Sequence, residues 1–122
     1  MSVSTVAASP PSPWQACYAH PMAWDTVFAP LSVPQMFAQS VARFGDRPLV
    51  DFMGRRFSYA DLNSEARAFA AGLQRLGIAK GDRVGLFLPN VPLYVSAYYG
   101  AMLAGATVVN FSPLYTAAEL AA

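Results

Sequence analysis

Charge is scarce in this sequence. Asp, Glu, Lys and Arg make up 12% of its 122 residues, while 55% are hydrophobic. Typical soluble domains carry about twice that charged fraction. Such a chain must bury its surplus apolar surface, either in lipid or in protein beyond its own core. Lysine occurs once, at Lys80, and Arg55-Arg56 is the only basic pair in a chain of net charge +1. That excludes the basic stripe of a nucleic-acid binder and the polybasic patch that holds anionic lipid. A single cysteine, Cys17, excludes an internal disulfide and fits a reducing compartment. The stretch from Met1 to Pro11 has no basic segment followed by an apolar core, so no signal peptide is expected. Neither a Gly-x-x-x-x-Gly-Lys-Ser/Thr loop nor a Gly-x-Gly-x-x-Gly loop occurs.

What is present divides into an arm, residues 1–30, and an α/β segment, residues 31–122. The arm holds prolines at positions 10, 11, 13, 21 and 30, which fix φ and remove donors, so no regular element is expected there. Trp14, Tyr18, Trp24 and Phe28 are too many aromatics for a solvated linker, so the arm reads as an extended strip lying on a folded surface. Cys17 and His20 are two metal-ligand types, yet two ligands do not close a tetrahedral site.

Ser32-Val-Pro-Gln35 is a capping box with proline in the first turn. Val33, Met36, Phe37, Val41 and Phe44 then share one helical face up to Gly45. Residues 49–53 and 55–57 flank Gly54 and predict a short hairpin. Ser58-Tyr-Ala-Asp61 is a second box, opening a helix with Leu62, Ala66, Phe69, Leu73 and Leu76 on its apolar face. Gly77 and Ile78 read as its Schellman end, and Asp61, Glu65, Arg67, Gln74 and Arg75 fall off the apolar stripe.

Between Arg83 and Glu119 no residue is charged. Arg83 to Leu88 reads as a buried strand. Asn90 is placed to cap a helix with Pro92 in its first turn, and Gly105 is placed to end it. Leu93, Tyr94, Val95, Tyr98, Tyr99, Met102 and Leu103 cover nearly every face of that helix, so it reads as buried all round. Ala106 to Asn110 is a second β-branched strand. Strand, helix and strand make a βαβ unit with parallel strands. Thr116-Ala-Ala-Glu119 is a third box. Two parallel strands with open edges are an unfinished sheet, so the segment reads as the front of something longer.

Two competing readings treat the apolar stretch differently. Val91 to Val109 has the length of a membrane span, and Gly100 and Ala104 form a small-xxx-small pair. Against a span stand Pro92, the absence of flanking basic residues and the β-branched run after Gly105. The third reading is a non-catalytic α/β interaction module that binds a partner through its open sheet edge.

No residue stands out as catalytic. Asn90 and Asn110 sit at strand ends where α/β folds gather ligands, but read as a cap and a turn residue. Tyr94, Tyr98, Tyr99 and Tyr115 read as buried packing with hydroxyls bonded to backbone rather than as an acyl pocket. Asp61 and Glu65 read as a box residue and a solvated one rather than as an acid–base pair.

Four phrases in order carry a family likeness: Phe57-Ser-Tyr-Ala-Asp-Leu62, Gly81-Asp-Arg-Val-Gly-Leu-Phe-Leu-Pro-Asn90, Gly100-Ala-Met-Leu-Ala-Gly-Ala-Thr-Val-Val-Asn110 and Ser112-Pro-Leu-Tyr-Thr-Ala-Ala-Glu-Leu120. Together they resemble the AMP-forming acyl-CoA synthetases, and the last resembles the long-chain fatty-acyl-CoA ligase branch. Trp14, Tyr18, Pro21 and Trp24 resemble the start of bacterial long-chain members. The resemblance implies an α/β fold: the N-terminal part of the large domain of adenylate-forming enzymes, incomplete as a domain. It implies a complete enzyme that uses ATP, Mg2+ and coenzyme A to convert a fatty acid through an acyl-adenylate to acyl-CoA. It implies a cytoplasmic location, with peripheral membrane association and a homodimer open to the family, and no nucleic-acid partner. Another adenylate-forming ligase of the same superfamily is the alternative. The family's Ser/Thr/Gly-rich phosphate loop ending in Pro-Lys-Gly has no counterpart here, so no catalytic, cofactor-binding or metal residue is carried over. The 122-residue chain alone is expected to bind none of the three cofactors and to be inactive.

Overall fold

A computed structural model describes residues 12–121, with two compact units dividing between Pro30 and Leu31. Pro10, Pro11 and the N-terminal stretch on which the signal-peptide expectation rests lie outside the described residues. In the first unit, Pro13–Cys17 form a 3-10 helix, contrary to the expectation of no regular element. Proline is harmless at its first position, where the missing N–H has no partner to lose. Trp24 packs edge-on against Trp14 and Tyr18, at centroid distances of 6.4 and 5.3 Å.

In the second unit, helix α1 (Val33–Phe44) opens on the expected box: the Ser32 hydroxyl accepts from Gln35 N–H at 3.3 Å, and Gln35 Oε1 accepts from Ser32 N–H at 3.0 Å. Strands β1 (Pro48–Phe52) and β2 (Arg55–Ser58) form an antiparallel hairpin with an irregular register between Pro48 and Val50. Its turn is Met53-Gly54, with φ of 52° and 78°. Two left-handed residues match the strand twist in a tight hairpin, so Met53 belongs to the turn and not to the first arm. Helix α2 (Tyr59–Arg75) opens on the Ser58/Asp61 box and closes as a Schellman motif, with Ile78 N–H donating to Leu73 O and Gly77 N–H to Gln74 O, both at 3.0 Å. Leu76, assigned to the apolar stripe, is 81% exposed: it occupies the cap, where the chain turns off the helical face.

Strands β3 (Arg83–Leu86) and β4 (Thr107–Asn110) pair in parallel, joined through helix α3 (Pro92–Leu103). This is the βαβ unit that the spacing predicted. Gly105, at φ 87°, ends α3 in a second Schellman arrangement, with Ala106 N–H on Ala101 O and Gly105 N–H on Met102 O. Helix α4 (Ala117–Ala121) starts at the Thr116/Glu119 box. All three capping boxes, each decided locally, formed.

The core is built from small residues. Phe37, Leu62 and Leu86 are its large members; Ala66, Ala70, Ala97, Ala101, Ala104 and Ala106 supply the rest. Helices α2 and α3 touch closely because Gly100 faces α2: a Cβ there would lie 2.7 Å from Ala66 O and 2.9 Å from Phe69. Phe37 of α1 stacks flat on Tyr99 of α3, at 3.9 Å between centroids. Helix α3 is not buried all round. Its small face is covered, while Leu93 and Leu103 are 52% and 38% exposed. Nor does the apolar run form one long helix: α3 has 12 residues and the run then turns into β4. Among the described residues no helix is long and apolar enough to cross a membrane.

Candidate functional site

The C-terminal ends of β3 and β4 face the start of α3. Asn90 does not cap that helix. Proline at the first helical position holds the preceding residue extended, so Val91, at φ −127° and ψ 160°, becomes the cap and offers no side-chain bond. Asn110 does more than make a turn: its Oδ1 accepts the hydroxyl of Tyr94 at 2.7 Å. The bond ties the first turn of α3 to the end of β4, and it shows that this tyrosine bonds a side chain and not backbone. Tyr94 and Tyr98 stack at 6.2 Å, and Tyr98 meets Tyr99 edge-on at 5.5 Å. With Leu49, Val50 and Val95 these three rings line a depression of about 390 Å³. Burial, with smaller effects from Tyr98 and Tyr59, pushes the Tyr99 phenol above its ordinary pKa. Tyr115 stands apart, 45% exposed.

A larger groove, about 680 Å³, lies between the hairpin, α2 and the start of α3. Phe52, Phe57, Phe69, Pro92 and Leu93 make its walls. Its polar content includes Arg55, whose guanidinium lies 4.7 Å over the Phe57 ring, and a pair formed by Glu65 and Ser96. The Ser96 hydroxyl, 1% exposed, donates to Glu65 Oε2 at 2.6 Å. Glu65 is therefore not simply solvated as its position off the apolar stripe suggested. The signal was readable: a hydroxyl inside an apolar helix must find an acceptor. Which acceptor depends on how α2 docks, and that is not local information.

This pair is a clasp between helices rather than a nucleophile and its base. No histidine takes part, and Ser96 lies against α2 at the groove floor. Asp61, the other carboxylate considered, is held by the Ser58 N–H at 3.0 Å and by the Ser58 hydroxyl at 2.8 Å. These bonds lower its pKa below the ordinary 3.8, the backbone bond contributing most. It is a cap, remote in role from acid–base work.

Phosphate and metal chemistry find little here. Lys80 is on the turn before β3, with its Cα 3.2 Å from where a Gly105 Cβ would stand. That is the N-terminal end of the strands, opposite the end where α/β folds bind ligands. Among the described residues no group of three or more His, Cys, Asp or Glu could hold a metal ion. Cys17 is exposed, and the rings of Tyr18 and His20 lie 5.7 Å apart.

Comparison with known proteins gives these elements a context. The family model described as AMP-binding enzyme matches residues 37–122. A long-chain-fatty-acid–CoA ligase of Escherichia coli O157:H7 is 49% identical over 90 residues, covering 73% of this chain and 16% of the ligase. One from Bacillus subtilis is 38% identical over 108 residues, covering 88% of this chain and 19% of the ligase. The N-terminal subdomain of Klebsiella oxytoca NpsA, solved with 3-hydroxyanthranilyl-AMSN, superposes with a TM-score of 0.72 at 28% identity. That match covers 74% of this chain and 23% of the subdomain. The chain thus spans less than a fifth of the length of these curated relatives.

Proposed function

Because this chain belongs to the AMP-binding enzyme family, we propose that it is the N-terminal scaffold of an ATP-dependent fatty-acid–CoA ligase. The observation that carries this reading is the 49% identity to a long-chain ligase across 90 residues. The family model's match, residues 37–122, takes in the Ser58 and Thr116 boxes, the Gly100 crossing and the βαβ unit described above. The proposed whole enzyme joins a long-chain fatty acid to coenzyme A, with ATP supplying the activation and magnesium the charge neutralisation.

The residues in hand do structural work in that reaction. The Ser58/Asp61 box fixes where α2 starts, Gly100 sets how closely α3 lies on it, and the Tyr94–Asn110 bond fixes the end of β4. Together they hold a strand end in place for groups supplied by the rest of such an enzyme. Because long-chain acids partition into bilayers, the enzyme works at a membrane surface, peripherally attached. A direct test replaces the matching segment of the Escherichia coli ligase with this chain and assays fatty-acid-dependent acyl-CoA formation. Activity in the chimera supports the reading. A folded, inactive chimera counts against it.

A further inference from the structure

Gly85 lies inside β3, where glycine weakens a strand. Its φ is not positive, so the backbone does not require it. Space does. A Cβ at Gly85 would stand 2.9 Å from Phe111 Cε2 and 3.4 Å from Phe111 Cδ2. The edge of the Phe111 ring therefore occupies the place of a side chain on β3. Phe111 is the first residue past β4, and its N–H continues the ladder to Leu86 O at 3.0 Å. Its neighbour Asn110 takes the Tyr94 hydroxyl at 2.7 Å. Successive strand residues point to opposite faces, so α3 holds one face of this strand end and Gly85 holds the other. Beyond it, Ser112 O accepts from Tyr115 N–H at 3.0 Å and Ser112 Oγ from Leu114 N–H at 3.2 Å. The Thr116/Glu119 box closes the segment. Residues Ser112 to Tyr115 are thus fixed at both ends and at their own turn.

Resting on the ligase reading above, we propose that Gly85, acting through Phe111, is a positioning residue of that enzyme. With the Tyr94–Asn110 bond it clamps the end of β4 from both faces and sets the Ser112–Tyr115 segment where turnover requires it. A segment leaving a sheet inherits the orientation of its strand. One side-chain contact would leave the strand end free to roll about its axis; contacts on both faces remove the roll. The segment emerges at the C-terminal end of the strands, where α/β folds bind ligands. There, misplacement by an ångström is enough to cost about a hundredfold in rate. Gly85→Ala separates position from stability. The atom in its way is the edge of a side chain that can swing, not backbone, and alanine suits a strand better than glycine. The variant therefore folds, with Phe111 displaced and the segment beyond it moved.

The test has two arms. In the 122-residue chain, nuclear Overhauser contacts are expected between the Gly85 α-protons and the Phe111 ring protons. Their absence overturns the inference. In the chimera with the Escherichia coli ligase, Gly85→Ala should lower kcat by about tenfold, with the KM for fatty acid and the melting temperature nearly unchanged. Adding Phe111→Leu, which shortens the side chain in the way, should recover most of that loss. Gly72→Ala on α2 should leave kcat as it was. Three outcomes overturn the inference while the ligase reading stands: an unchanged kcat, a loss matched by a lower melting temperature, or a loss that Phe111→Leu does not relieve. A folded parent chimera that forms no acyl-CoA overturns both.

Discussion

Ser96 on α3 and Glu65 on α2 are joined across 31 positions of sequence by a 2.6 Å hydrogen bond whose donor is buried and whose acceptor belongs to an exposed residue. The asymmetry sets the cost of losing either partner. Glu65→Ala leaves a buried hydroxyl without its acceptor, which costs about 1–3 kcal/mol. Ser96→Ala frees a carboxylate that water can solvate, so its cost should be the smaller, under about 1 kcal/mol. Urea melts of the two variants, compared at constant m-value, decide the order. Equal losses would mean that the bond is not the clasp between these helices.

The two glycines inside helices should respond in opposite directions. At Gly100 a methyl group would stand 2.7 Å from a backbone oxygen of α2, which can move only with its helix. Gly100→Ala should destabilise by about 1–3 kcal/mol or more. At Gly72 the nearest atom is the flexible end of Arg75, 3.9 Å away. There alanine improves helix propensity and should stabilise by about 0.5–1 kcal/mol. Thermal melts that move both variants the same way would show that α2 and α3 do not cross as closely as described.

The Ser58/Asp61 box makes a pH prediction. Hydrogen bonds from Ser58 hold the Asp61 carboxyl below its ordinary pKa of 3.8 in the folded chain. A depressed carboxyl contributes stability that is present above the unfolded pKa and is lost as pH falls through the folded one. Helical signal should therefore decline in acid, below the usual aspartate range, and Asp61→Asn should flatten that part of the profile. An unchanged profile in the Asn variant would assign the acid loss to other groups.

How much was legible in the chain follows from distance along it. Ser32 and Gln35, Ser58 and Asp61, and Thr116 and Glu119 are three residues apart, so each box is decided locally, and each formed. Gly77 and Gly105 were readable for the same reason, since a left-handed residue after an apolar stripe ends a helix. The spacing of two short apolar runs around α3 was enough to predict the parallel pair. What could not be read needed partners far away. Glu65 meets Ser96 only once α2 and α3 have docked, and Tyr94 reaches Asn110 only once β4 lies beside β3. Asn90 was misplaced by one position because Pro92 constrains Val91 more strongly than an asparagine side chain favours a cap. Helix α3 is apolar on every face in sequence, yet only its small residues are covered, and Leu93 and Leu103 stay in the open.

The most direct measurement is acyl-CoA synthesis by the ligase chimera, run beside fatty-acid-dependent ATP–pyrophosphate exchange by the 122-residue chain alone. We expect the chimera to form acyl-CoA, because this segment supplies the scaffold against which the remainder folds. The chain alone should give no exchange, since its one lysine stands at the wrong end of the strands and Asp61, Glu65 and Glu119 are engaged in caps and a clasp. A chimera that melts cooperatively but makes no acyl-CoA, or exchange by the chain on its own, would contradict the scaffold role.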